Sequence, residues 1–279
     1  MADITRKEVD RRVKRRDSIK EIDLTGLNLD EFDFEGSIFY KCKFSGSSIN
    51  RSNFAFSRFE SCLLNDCEIL DSHFQESSFV ECDFTKSVMR DCVLIEVNLR
   101  QAILQSTDFS GSFLKDVILI EAKGNLCNFS FSNLSASNLT SSEFQICDFN
   151  GCCASGIKAA NSDFTGSEFK GAQMDSSTLT GANLNFCNFS EASLQKCDFS
   201  KAKLFSASLD NARLNSSNLK DVLLMGAQVR EAEINDANLE NANLTKANFS
   251  KSIFNGAKMM GVLDEETVYD GASMKGVTR

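Results

Sequence analysis

Large apolar residues recur at every fifth position of this chain, a period that belongs to neither helix nor strand. In the stretch LENANLTKANFSKSIFNGAKM they stand at Leu239, Leu244, Phe249, Phe254 and Met259. An α-helix turns about 100° per residue, so a step of five scatters such residues around the axis. A straight strand alternates faces, so an odd step sends Leu239 and Leu244 to opposite sides. What remains is a chain that runs extended for three residues and turns a corner in the other two. Each unit then presents a fresh wall to one interior, and the chain coils.

The composition of the unit agrees. Two residues before each apolar centre stands a small one, as at Ala237, Ala242, Ala247, Ser252 and Ala257. In a short extended segment residues two apart share a face, so both point inward. Centres run in one unbroken frame from Leu24 to Met274, about 51 units by repeat counting. Only Gly124, Ala154, Ala159 and Asp264 lack a large apolar side chain there, and Ile157, large for a small position, is expected to fill the gap beside Ala159. The chain has no proline. That fits a coil whose N–H groups are all engaged by neighbouring coils.

Units such as ANLEN, ANLTK, ANFSK and CDFTK resemble the pentapeptide-repeat family, and the resemblance covers nearly everything after Ile22. It implies an all-β fold, a right-handed quadrilateral β-helix with four units per coil. At an inter-strand spacing of about 4.8 Å this gives about thirteen coils and a rod of roughly 60 Å. The expected organisation is a basic N-terminal helix or cap over 1–21 and a single β-helix over 22–279.

Ten of the eleven cysteines (Cys42, Cys62, Cys67, Cys82, Cys92, Cys127, Cys147, Cys152, Cys187 and Cys197) occupy the small inward position and read as reduced core filler. Cys42, Cys62 and Cys82 should stack on consecutive coils, at a spacing somewhat beyond the usual disulfide Cβ separation. The one histidine, His73, lies outward between Asn53 and Val93, away from any thiol, and Cys153 alone among the thiols points outward. No metal site, cofactor or catalytic group is therefore expected. A glycine-rich phosphate loop, an HExxH motif and a serine elbow are all absent. Asn-x-Ser/Thr triplets such as Asn188-Phe189-Ser190 read as by-products of the repeat.

The first 21 residues carry eight Lys/Arg against five Asp/Glu, and the remainder 22 against 34. Thr5 and Glu8 have capping-box spacing, and Ile4, Val9 and Val13 form an apolar face suited to covering the first coil. No apolar run approaches the ~20 residues of a spanning helix, and no signal-peptide core is visible. The expectation is a cytoplasmic protein, or one exported without a cleaved signal.

With the interior committed to packing, function falls to the outward positions. Most columns read at a step of twenty mix Asn, Ser, Lys and Asp. One departs: Glu76, Glu96 and Asp116 follow one another beside outward Val93, Ile95 and Phe113. Val80, Val88, Ile103, Ile118 and Ile120 are outward on other walls of the same coils. A second candidate patch holds Leu126, Ile146 and Phe186, with Phe205 and Met225 alongside. The reading is a non-catalytic scaffold or adaptor that binds a protein partner, without direct nucleic-acid contact by the rod. The family resemblance implies two alternatives: a DNA-mimicking modulator of DNA gyrase of the quinolone-resistance type, or a type III or type VI secretion effector or adaptor. Against the first, there are no loop insertions and no C-terminal helix. Val262, Leu263 and Tyr269 are expected to close the last coil, with an end-to-end homodimer if closure is incomplete.

Overall fold

The computed structural model describes residues 2–279, in two compact units, Met1–Asn138 and Leu139–Arg279. Both are built from the same five-residue step. In the first unit, α1 (Arg6–Lys14) leads into four short parallel strands, β1 (Ser18–Lys20), β2 (Ile38–Tyr40), β3 (Arg58–Glu60) and β4 (Ser78–Val80). Each residue pairs with the one twenty positions on, as Phe39 with Phe59 and Phe59 with Phe79. Single parallel bridges continue the same register, from Asp23–Lys43 to Ile118–Asn138 in the first unit and from Glu143–Asp163 to Lys258–Thr278 in the second. Twenty residues hold four five-residue sides, so each unit is a quadrilateral β-helix. β1 begins at Ser18 and Ile19 is buried, so coiling starts four residues before the expected boundary.

Backbone hydrogen bonding accounts for each position of the step. The amide of an apolar centre donates to a carbonyl nineteen residues on (Phe44 to Leu63, 2.7 Å), as does the corner residue two later (Gly46 to Asn65, 2.9 Å). The residue before the centre donates backward (Lys43 to Ile22, 3.0 Å), and the centre's carbonyl closes the turn by accepting from Ser47 (3.0 Å). One amide remains, directly after the centre, and an Asn or Asp side chain often takes it. Asn53 Oδ1 accepts from the Ala55 amide (3.0 Å) and Asn243 Oδ1 from Thr245 (3.1 Å). The recurrent Asn or Asp before the centre is thus a local cap of the Asx type. A proline at four of these five positions would leave a carbonyl without its donor.

The inward Ser and Cys residues do more than fill space. Ser72 Oγ accepts from the amide of Ser52 (3.0 Å) and donates to the carbonyl of Ile49 (3.1 Å), carrying the turn hydrogen bond of the preceding coil. Thiols take the donor half of this role: Cys67 Sγ reaches the Phe44 carbonyl and Cys92 Sγ the Ile69 carbonyl, each at 3.0 Å. Where the next coil offers alanine, as Ala202 does, the turn closes directly, here from Ala182 to Leu179 (3.0 Å). All eleven cysteines are free thiols and only Cys153 is exposed.

Centres stack along each wall. Phe34, Phe54 and Phe74 lie with ring centroids 4.7 and 4.5 Å apart, and Phe149, Phe169 and Phe189 repeat this in the second unit at 4.7 Å per step. The stacking distance matches the inter-strand spacing, so the rings follow the backbone rise. The exceptional centres Gly124, Ala154 and Ala159 are buried, as is Ile157. Helix α1 buries Val9, and Arg6 reaches the carbonyls of Asn28 (3.2 Å) and Asp30 (2.7 Å), anchoring the helix on the first coil. At residues 262–279 the inward positions are only half-buried. Tyr269 stacks on Phe249 (5.8 Å) and covers part of that coil. Leu263 does not: it bridges Asn243 at an outward position and stays 59 % exposed, because the residue before a centre always faces out.

Candidate interaction surface

Every corner residue two places after a centre has a positive φ, between 51° and 74°. Glycine, asparagine and aspartate tolerate this region, and large apolar residues do so only at a cost. Five large apolar side chains nevertheless sit there: Phe56, Leu126 and Phe131 in the first unit, Ile146 and Phe186 in the second. All five are more than half exposed, and Phe131, at 77 %, is the most exposed large apolar side chain among the described residues. They are strained, and burial returns little to them.

In the first unit the expected patch forms one surface. His73, Val93, Phe113 and Asn133 bridge in sequence along one wall. At the next corner the amide of Glu76 donates to the Ile95 carbonyl and that of Glu96 to the Lys115 carbonyl, each at 3.0 Å. Glu76, Glu96 and Asp116 therefore occupy one corner on consecutive coils, and Phe56 precedes them there, its amide bonded to the Gln75 carbonyl (3.0 Å). Phe113 and Glu96 are exposed, while Val93, Ile95 and Asp116 are half-buried. Of the other outward apolar residues near these coils, Ile103 is exposed and Val80, Val88, Ile118 and Ile120 are half-buried.

This wall and its two corners carry nine carboxylates against three basic residues over 30–136, a net charge of −6; the other outward positions over 18–138 carry nine against seven. The three bases are already engaged: Arg51 with Glu31 (3.1 Å), Arg90 with Asp108 (2.7 Å) and Lys115 with Asp116 (3.7 Å). The acidic excess on this wall is thus uncompensated from within it.

The second expected patch divides between the units. Leu126 lies in the first, 59 % exposed; Ile146, Phe186, Phe205 and Met225 lie in the second. There Phe186 and Phe205 meet edge to face, with centroids 5.6 Å apart, and the Phe186 amide donates to the Phe205 carbonyl (2.9 Å). Ile146 leans over Gly166, where a Cβ would sit 3.6 Å from its Cγ1.

Two family models match the sequence: "Pentapeptide repeat region" over residues 192–267, and "Pentapeptide repeats (8 copies)" over 19–55, 82–119 and 142–181. The chain belongs to the pentapeptide-repeat family. Solved structures it is similar to include HetL, a pentapeptide-repeat protein involved in heterocyst differentiation regulation in the cyanobacterium Nostoc, at 21 % identity over 97 % of both chains with a TM-score of 0.39. A pentapeptide-repeat protein of the Arabidopsis thaliana thylakoid lumen is 32 % identical over 33 % of this chain and 61 % of its own, with a TM-score of 0.30. The plasmid-mediated fluoroquinolone resistance protein QnrB1 is 18 % identical over 71 % of this chain and 90 % of its own, with a TM-score of 0.31. No curated protein matches the chain.

Along this pentapeptide-repeat chain the five-residue step spreads chemistry-bearing groups apart. Among the described residues no group of three or more His, Cys, Asp or Glu side chains is placed to hold a metal ion, and no helix is long and apolar enough to cross a membrane. Burial pushes the thiols of Cys67, Cys92, Cys152, Cys187 and Cys197 up to about 12, which keeps them protonated and unreactive at neutral pH. Sequence reasoning overlooked Phe56 and Phe131. Their signal was available, since both fall two places after a centre, where the frame otherwise holds mostly Gly, Asp, Asn, Glu, Lys or Ser.

Proposed function

We propose that the protein is a non-catalytic interaction scaffold, and that the acidic wall of the first unit, around Phe113, docks a basic, partly apolar surface of a protein partner. The observation that supports this reading most is the pairing of a −6 wall with an exposed phenylalanine, Phe113, close to Glu96 and Asp116. Stacked carboxylates repel one another and exposed apolar neighbours gain nothing from water, so a partner that covers both relieves both. Affinity capture from the native host with the unaltered chain and with the Phe113→Ser/Glu96→Lys double variant tests it. Both residues are exposed, so the variant should keep its melting temperature and lose the captured partner. Retention of the same partner with unchanged affinity overturns the assignment.

The acidic excess of this wall also favours, as a second reading, the DNA-imitating modulation of DNA gyrase that the family resemblance implies. A duplex mimic needs charge that runs unbroken along its face, whereas Val93, Ile95 and Phe113 interrupt this one. Inhibition of gyrase supercoiling that survives Phe113→Ser but fails on Glu96→Lys would favour the mimic over the scaffold.

A further inference from the structure

The corner of the second unit that carries Ile146, Phe186, Phe205 and Met225 is self-complementary. Over six coils its two columns read Gln145-Ile146, Thr165-Gly166, Asn185-Phe186, Phe205-Ser206, Met225-Gly226 and Thr245-Lys246. A two-fold axis across the corner, midway between the coils of Phe186 and Phe205, would set each coil against its counterpart in a second copy and keep each column facing itself. Phe186 then meets Ser206, Phe205 meets Asn185, Met225 meets Thr165, and Gly166 meets Gly226. Ile146 meets Lys246, so each large apolar side chain faces a small or polar one, and the two remaining pairs are Gly166 with Gly226 and Gln145 with Thr245.

Charge follows the same symmetry. The coils of Ile146 and Gly166 carry Asp148, Asp163 and Glu168 on the walls beside the corner, and among the described residues none of these three has a Lys or Arg within 4 Å. The other end carries Lys246, 63 % exposed and 3.8 Å from Glu266, while Lys203 lies beside the axis on the Phe205 coil. The axis sets Lys246 of one copy against the Ile146 coil of the other, next to Asp148. We infer that this corner is an antiparallel homodimer contact, with the Phe186–Phe205 pair at its centre. Strain supports the same assignment: Ile146 and Phe186 hold φ of 55° and 62° while Gly166 and Gly226 occupy the same column. This contact stands independently of the role proposed for the first unit.

Six coils at about 4.8 Å span roughly 29 Å of corner. A strip of that length and only two columns wide is a small contact beside a standard interface of about 800 Å² per partner, so the test must extend to high concentration. Sedimentation equilibrium of the full chain from low to several hundred micromolar is the test. A monomer–dimer equilibrium is expected, lost in Phe186→Asp and weakened several-fold in Lys246→Glu. Asp148→Lys combined with Lys246→Glu should restore it, a rescue peculiar to the antiparallel pairing. Circular dichroism and melting temperature check that each variant folds. A monomer at every concentration, or a dimer indifferent to Phe186→Asp, overturns the inference; a dimer lost with Phe186→Asp but not rescued by the charge swap overturns the antiparallel arrangement.

Discussion

The hydroxyl of Ser112 stands between two backbone groups of the preceding coil, accepting from the amide of Cys92 at 3.0 Å and donating to the carbonyl of Met89 at 2.7 Å. The turn at Met89–Cys92 is therefore closed through a side chain twenty residues away, and sequence at one coil sets backbone geometry at another.

Replacing that hydroxyl should be costly. Ser112→Ala leaves a buried donor and a buried acceptor without their partner, a loss of about 1–3 kcal/mol unless the turn re-closes directly. Ser57 is the control: it is equally buried, but its hydroxyl has no hydrogen-bond partner. Ser57→Ala should be neutral or stabilising, and urea unfolding of the two variants reads the difference.

Ile157 gives a test of volume. It is large for its inward position, near the small centres Ala154 and Ala159, and is 3 % exposed. Ile157→Ala should cost about 2–5 kcal/mol, whereas Ala242→Ser should cost far less, because a hydroxyl there has a turn on the preceding coil to join. Equal losses of melting temperature would show that the small centres are not compensated.

How much of this was legible follows from which interactions are periodic. The step of five gave the centres, the inward small residues and the outward cysteine, because each depends on side-chain direction alone. The Asn before the centre was legible as a recurring member of the repeat but not as a cap on the amide two residues on, a bond that only the turn geometry reveals. The Ser112 relay joins residues twenty apart and depends on whether one turn has opened. Phe56 and Phe131 stood in plain view, but the penalty on their backbone appears only with φ.

Buried thiols predict an alkaline limit. Their folded-state values, about 12 for Cys67, Cys92, Cys187 and Cys197, lie above the ordinary value of about 8.5. A raised value contributes stability that is full below about pH 8.5 and is lost as pH rises toward 12. The quadruple Cys→Ser variant at these positions keeps the donor to each carbonyl and removes the titration. Its urea midpoint should fall less between pH 7.5 and 10.5 than that of the unaltered chain, and parallel profiles would refute the account.

Carboxylates set the acid limit. Partial burial alone would raise Asp163, yet it accepts from the hydroxyl and amide of Thr165 (2.6 and 2.9 Å) and from Gln145 (2.7 Å), and these bonds hold it below the usual carboxylate range. Asp108 is likewise held down, against burial, by the Ser110 amide and Arg90. A lowered value contributes stability that is present above about pH 4 and lost as pH falls through the folded-state value. Asp163→Asn should lower stability at pH 7 and flatten the loss between pH 5 and 2.

Ile146 offers the sharpest separation of folding from surface role. A β-branched residue at φ 55° is strained by about 1–2 kcal/mol, and this one is 63 % exposed, so burial returns little. Asparagine is at ease in that region and stands at the corners Asn161, Asn211 and Asn241 of this chain. Ile146→Asn, measured at a concentration low enough to keep the chain monomeric, should raise unfolding free energy by about 1 kcal/mol. At high concentration the same variant should associate more weakly, since its side chain lies within the proposed contact. Greater stability with undiminished association would mean that the strain serves some other purpose than that contact.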